Sequence, residues 1–123
     1  MTTILVVDDE FLVADVVAFA LEDEGYQVAR AGNGRKAFDL LDQIRPALII
    51  TDYMMPVMNG LELADAVRES LGGDAPPIIL MSGAQAYIGR TRGDLFAAVF
   101  DKPFRVSEIV ASVQAIIGPA IAS

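Results

Sequence analysis

Five side chains of this chain could do chemistry together: Asp8, Asp9, Asp52, Ser82 and Lys102. They stand where short apolar runs stop. Ile4-Leu5-Val6-Val7 stops at Asp8-Asp9-Glu10, and Leu48-Ile49-Ile50-Thr51 stops at Asp52. Ile78 to Met81 stops at Ser82-Gly83, and Ala97 to Phe100 stops at Asp101-Lys102-Pro103. Clustered carboxylates repel one another, and without a counter-ion at least one is driven toward its protonated form. An all-oxygen donor set suits Mg²⁺, a hard cation that keeps several waters and shares the rest of its shell with phosphate. Zn²⁺ is disfavoured, because the chain has neither histidine nor cysteine. A carboxylate beside such a cation can become an aspartyl phosphate. Lys102 and the Ser82 hydroxyl could supply the alignment and charge stabilisation that phosphoryl transfer needs. Taken singly, each of these residues would be a solvated loop or surface group. The chemistry follows only if one sheet edge gathers them.

The pattern of the chain predicts such an edge. Strands are expected at 3–7, 26–31, 47–51, 78–81 and 97–100, the first a short β-branched run with turn-prone acids after it. Between them, a helix from about Phe11 to Glu24 would bury a stripe of Leu12, Val13, Val16, Val17, Ala20 and Leu21, with Gly25 as its stop. A second helix carries Ala37, Leu41 and Ile44 on one face and ends before Pro46; a third, from about Gly60 to Leu71, carries Leu63 and Val67. Residues 84–96 contain Gly89 and Gly93 and poor apolar spacing, so a short or irregular helix is expected there. Ser107 is expected to cap a last helix that buries Ile109, Val110, Val113, Ile116 and Ile117 and ends at Gly118-Pro119.

Solidly apolar strands alternating with amphipathic helices imply a parallel sheet covered on both faces. The expected fold is α/β, a doubly wound (βα)5 flavodoxin-like domain with sheet order 2-1-3-4-5. In that order the first and third strands are neighbours, and their C-terminal ends flank the topological switch point where such sheets bind ligands. Asp8, Asp9 and Asp52 fall there.

Composition narrows the function classes. At 123 residues the expectation is one domain over the whole chain, 1–123, and 54% hydrophobic residues suffice for its interior. A net charge of −8 disfavours nucleic acid as a partner. No apolar run is long enough for a membrane span, and no signal peptide stands at the N-terminus. With no cysteine to form disulfides, a cytoplasmic location is expected. The Gly-rich phosphate loops of nucleotide-binding proteins are absent.

Asp8-Asp9, then Asp52-x-x-Met55-Pro56-x-Met58-x-Gly60, then Ser82-Gly83, then Lys102-Pro103-Phe104 closely resemble the receiver domain of bacterial two-component response regulators. The ordered set spans essentially the whole chain. The resemblance implies that Asp52 accepts a phosphoryl group from a phosphohistidine on a histidine kinase or phosphotransferase. It implies that Asp8 or Asp9, Asp52 and the backbone carbonyl of Met54 hold Mg²⁺, that Ser82 and Lys102 contact the phosphoryl group, and that Lys102–Pro103 is cis. Two features depart from the family. Val99 stands where an aromatic residue usually reports phosphorylation, with Phe100 on the opposite side of the strand. The Gly-Ala-Asp turn before the fifth strand is also missing. The 84–96 segment, with Tyr87, is therefore expected to change order instead. Met54 and Ala84, two residues after Asp52 and Ser82, cannot hydrogen-bond an attacking water through their side chains, so a long-lived phosphorylated form is expected.

The leading function is a phosphorylation-dependent switch or phosphorelay element, not an enzyme acting on other substrates. A stand-alone receiver is expected, with a domain cut from a larger regulator as the alternative. The rival class is a Mg²⁺-dependent phosphatase or phosphotransferase with an aspartyl-phosphate intermediate. Phosphatases of the haloacid-dehalogenase type carry a second aspartate two residues after the nucleophile, where this chain has Met54.

Overall fold

The computed structural model describes residues 2–83 and 86–120, with the side chains of Ala86 and Ile88 set aside. The elements alternate: β1 (Thr3–Val7), α1 (Phe11–Asp23), β2 (Gln27–Ala31), α2 (Gly34–Ile44), β3 (Leu48–Asp52), α3 (Gly60–Leu71), a 3-10 turn (Gly72–Asp74), β4 (Ile78–Ser82), α4 (Ala86–Thr91), β5 (Ala98–Asp101) and α5 (Val106–Ile117). The strands pair in parallel in the order β2-β1-β3-β4-β5. This is the doubly wound flavodoxin-like sheet that the sequence predicts.

Strand alternation sends side chains to two cores. Ile4, Val6, Leu48, Ile50, Ile79 and Met81 pack under α1 and α5. Leu5, Val7, Ile49, Ile78 and Leu80 pack under α2 and α3. β3 and β4 are buried along their whole length, as central parallel strands covered on both faces must be. β2 is the half-exposed edge that its alternating pattern implies. Val99 joins the α2/α3 side and Phe100 the α1/α5 side, so the two lie on opposite faces, as expected.

Three details of the structure differ from the sequence expectation. The buried stripe of α1 is Ala14, Val17, Ala18 and Leu21, whereas Leu12 and Val16 are exposed. That helix is apolar nearly all round, so periodicity does not fix the face; the two alanines, one turn apart, let the helix lie close to the sheet. Ser107 is not an N-cap. Arg105 holds that position in extended backbone, without a side-chain cap bond, and α5 is already under way at Val106. Tyr26 precedes β2; its buried ring packs beside α1 and its hydroxyl donates to Gly118 O at 2.6 Å, tying the start of β2 to the end of α5. Gly25, with φ 96, ends α1 as expected.

The loop between β3 and α3 brings the chain from the switch point into a well-capped helix. Asn59 Oδ1 accepts from Glu62 N at 2.8 Å, and Glu62 Oε1 accepts from Asn59 N at 3.0 Å, a reciprocal capping box. Before it stands Val57 with φ 70, a β-branched residue in left-handed backbone, 79% exposed. That conformation costs an L-residue roughly 1–2 kcal/mol. Asparagine tolerates it, and Val57 has little burial to lose. Val57→Asn should therefore stabilise the protein by about 1 kcal/mol, seen as a higher urea midpoint at unchanged m-value. An unaltered or lower midpoint would show that the loop relaxes without cost.

Candidate functional site

β1 and β3 end side by side, pairing Val7 with Thr51. The next residue of each chain segment is an aspartate. Asp8 is 1% exposed and Asp52 4% exposed, so two carboxylates are buried at adjacent strand ends. β1 ends because Asp8 turns the chain: its Oδ1 accepts from Glu10 N at 2.9 Å, and its own N–H donates to Ala31 O. Carboxylate oxygens of Asp8, Glu10 and Asp52 all lie within 4.8 Å of one another. Asp9 stands outside that triad with its side chain exposed, although its charge reaches Asp52. Asp8 and Asp52 thus meet as the sequence predicts, and the third acid beside them is Glu10 rather than the expected Asp9. The signal was present as a third acid in the run Asp8-Asp9-Glu10.

Lys102 arrives from β5, two strands away from β3. Its Nζ lies 3.0 Å from Asp52 Oδ1 and 3.9 Å from Glu10 Oε1. Ser82 ends β4, one residue beyond Met81, the partner of Asp52. Lys102 N donates to Ser82 O at 2.8 Å, so the lysine and the serine are held together through backbone. Lys102–Pro103 is cis. Gly60 lets the α3 end close over Asp52: a Cβ there would lie 2.5 Å from Asp52 O. Met54 is largely exposed just beyond the phosphoacceptor candidate, and Ala84 lies outside the described residues.

Among the described residues, two buried side-chain atoms at the ends of β1 and β4 have no hydrogen-bond partner: Asp8 Oδ2 and Ser82 Oγ. Buried polar groups are normally satisfied, and an orphaned pair at one strand edge is the mark of a site built for something not contributed by the chain. Clustered carboxylates with no nitrogen or sulfur donor among them fit a hard divalent cation, and a serine hydroxyl and a lysine ammonium delivered to the same sheet edge fit a phosphoryl group.

The electrostatics agree. Burial pushes the Asp8 carboxyl up to about 6, and the negative charge of Asp52 adds to this; the Glu10 N–H and Lys102 only partly offset it. Burial likewise raises Asp52, against the hydrogen bond and charge of Lys102. Burial alone would lower Lys102, but its bond to Asp52 and the surrounding acids leave it above its ordinary value. Lys102 is thus a fixed cation and Asp8 a strained anion at neutral pH.

A pH dependence follows, with its sign set by Asp8. Its folded-state value lies above the ordinary 3.8, so the native state holds the proton more tightly than the unfolded chain. Without divalent cation, this group's contribution to stability falls as pH rises from about 3.8 through about 6, a loss of roughly 3 kcal/mol when complete. Asp8→Asn should remove that dependence. In chelator, the stability gained by the variant over the parent should be small at the acid end of the window and largest above it. Urea denaturation across the range checks this, and a pH-independent gap between the two proteins would exclude it.

Among the described residues, no helix is long and apolar enough to cross a membrane. Over 118 residues the chain is 35% identical to the probable transcriptional regulatory protein TcrX of Mycobacterium tuberculosis, covering 94% of this chain and 49% of that one. It is 36% identical over 117 residues to the response regulator MprA of Mycolicibacterium vanbaalenii, covering 93% and 49%. The chain therefore spans about half the length of these curated relatives. A solved structure of the Vibrio cholerae chemotaxis protein CheY4 superposes with a TM-score of 0.81 at 30% identity, over 94% of this chain and 98% of that one. The family model for the response regulator receiver domain matches residues 4–114, from β1 well into α5. The strand-end acids and the lysine therefore lie on a fold and within a sequence match that agree, and the chain belongs to the receiver domain family of response regulators, domains that act as phosphorylation-dependent signalling switches.

Proposed function

We propose that Asp52 is the phosphoacceptor of this receiver, taking the phosphoryl group of a phosphohistidine on a histidine kinase or phosphotransferase. The observation that carries this is the buried Asp52 carboxylate with Lys102 Nζ at 3.0 Å, together with a Ser82 hydroxyl that has no partner among the described residues at the end of the neighbouring strand. A carboxylate oxygen of Asp52 forms the bond to phosphorus while the phosphorus–nitrogen bond breaks. The imidazole nitrogen leaves with the electron pair. Lys102 faces the negative charge on the transferred oxygens, and Ser82 Oγ donates a hydrogen bond to one of them. Asp8, Asp9 and Asp52, with the carbonyl of Met54, would hold Mg²⁺. When bound, the cation offsets the repulsion between an anionic nucleophile and an anionic donor.

The face beside the pocket suits a protein donor. Leu12, Val13, Val16, Pro103, Phe104 and Val106 line a largely apolar groove next to Lys102, and Phe11 and Leu12 are exposed. Output is read near residues 84–104. Arg90 of α4 pairs with Asp101 at 2.9 Å, one residue before Lys102, and Gly89 sits against Leu80 and Val99. A shift of Ser82 or Lys102 toward a phosphoryl group is therefore felt at α4 without an aromatic side chain at position 99. Incubation with Mg²⁺ and acetyl phosphate, followed by intact mass, tests the proposal. One base-labile phosphoryl group per chain is expected, and a chain that takes up none overturns it.

A further inference from the structure

Glu10 has a geometry that the phosphoacceptor role of Asp52 does not by itself require. It occupies the N-cap of α1 in extended backbone, yet its side chain makes no cap hydrogen bond. The carboxylate instead reaches back over the pocket, 3.9 Å from Lys102 Nζ and within 4.8 Å of oxygens of both Asp8 and Asp52. Asp8 fixes this placement from below by accepting the Glu10 N–H. Glu10 is 64% exposed at its side chain, whereas Asp8 and Asp52 are buried. It therefore stands at the mouth, between solvent and the cation-bearing end of Lys102.

We propose that Glu10 is a positioning and donor-selecting residue: it holds Lys102 and repels dianionic phosphodonors, so that the site reacts slowly with small free ones. This rests on the reading of Asp52 as phosphoacceptor. An approaching phosphoryl group must take over Lys102, for which Glu10 is a second anionic partner beside Asp52. It must also pass a fixed negative charge in a region where the protein already carries excess acid. A like charge a few ångströms from the reacting group slows encounter and raises the cost of the bound state. A free small molecule brings nothing to neutralise Glu10, and rejection of unwanted donors by repulsion is a common route to specificity.

The test uses acetyl phosphate at saturating Mg²⁺. A carboxylate oxygen of Asp52 bonds to phosphorus, the bond from phosphorus to the acetyl oxygen breaks, and acetate leaves with the electron pair. Glu10→Gln should raise the second-order rate constant roughly three- to tenfold at low ionic strength. The gain should shrink at about 0.5 M salt, where the screening length falls to a few ångströms. It should also be smaller with phosphoramidate, which carries a single net negative charge at neutral pH against two on acetyl phosphate. Glu69→Gln, an exposed change on α3, controls for net charge and should leave the rate nearly unchanged. Calorimetric titration with Mg²⁺ gives the opposing outcome its own readout: weaker Mg²⁺ binding together with a slower reaction in Glu10→Gln makes Glu10 a metal ligand and overturns the inference. An unchanged rate, or a gain equal for both donors and insensitive to salt, overturns it too. A parent protein that takes up no phosphate removes the phosphoacceptor reading and this inference with it, whereas a reactive parent with an unresponsive variant removes the inference alone.

Discussion

Asp52→Asn should take up no phosphoryl group from acetyl phosphate and Mg²⁺ while remaining as well folded as the parent. The amide has no nucleophilic oxygen of comparable basicity, and among the described residues no other carboxylate combines this burial with Lys102 at 3.0 Å. Loss of reaction by itself would not separate chemistry from folding, so stability supplies the second readout. The Asp52 carboxyl is raised by burial despite the pairing with Lys102. Its charged form is therefore less favourable in the folded state than in the unfolded chain at neutral pH. A neutral isostere removes that cost, and the metal-free variant should melt no lower than the parent. Phosphate still appearing on Asp52→Asn would move the acceptor elsewhere. A variant that loses both phosphate and fold would leave the reaction assigned to no residue and contradict the burial account of Asp52.

Gly60→Ala should be the most damaging of the single-methyl changes at the site. The added Cβ would lie 2.5 Å from Asp52 O and 3.1 Å from Tyr53 Cα, both backbone atoms, and 3.0 Å from Leu80 Cδ1. Leucine can rotate away, but the backbone at Asp52 and Tyr53 cannot move without dragging the Asp52 carboxylate. Gly60 N also donates to Tyr53 O at 2.9 Å, so α3 and the end of β3 are already tied at that point. Overpacking of this kind costs roughly 3 kcal/mol. The functional effect should exceed what partial unfolding explains. A shift of about 1 Å in a reacting group can lower rate by about a hundredfold, so folded Gly60→Ala should phosphorylate far more slowly than the parent. Gly73→Ala is the matched control, since nothing lies within 4 Å of a Cβ there. Chemical denaturation together with phosphorylation rates below the melting transition measures both effects. Equal behaviour of the two alanine variants would mean that the α3 entry does not hold Asp52.

The two variants probe one design. In the proposed reaction Asp52 supplies the attacking oxygen, and the absence of a Cβ at Gly60 lets the following helix lie against the Asp52 backbone. Glu10 and Val57 lie at the rim, exposed and not required by the core. Changes there should alter rate or stability without loss of the fold, in contrast to changes at Gly60.

Much of this was legible in the residues alone. The apolar runs ending in Asp8, Asp52, Ser82 and Lys102 determined the strands, their parallel pairing and the edge to which they deliver polar groups, because a strand covered on both faces must be continuously apolar and must stop at its first acid. Other features were decided only by tertiary packing. The face of α1 that is buried depended on Ala14 and Ala18 lying close to the sheet, a matter of steric fit that hydrophobic periodicity does not encode in a helix apolar nearly all round. Likewise, the choice of Glu10 over Asp9 as the third acid near Asp8 and Asp52 came from how the chain turns at the end of β1. There the Asp8 side chain holds Glu10 N–H and aims consecutive side chains in different directions. Residue type and order set which groups reach the edge; the backbone path set which of them meet.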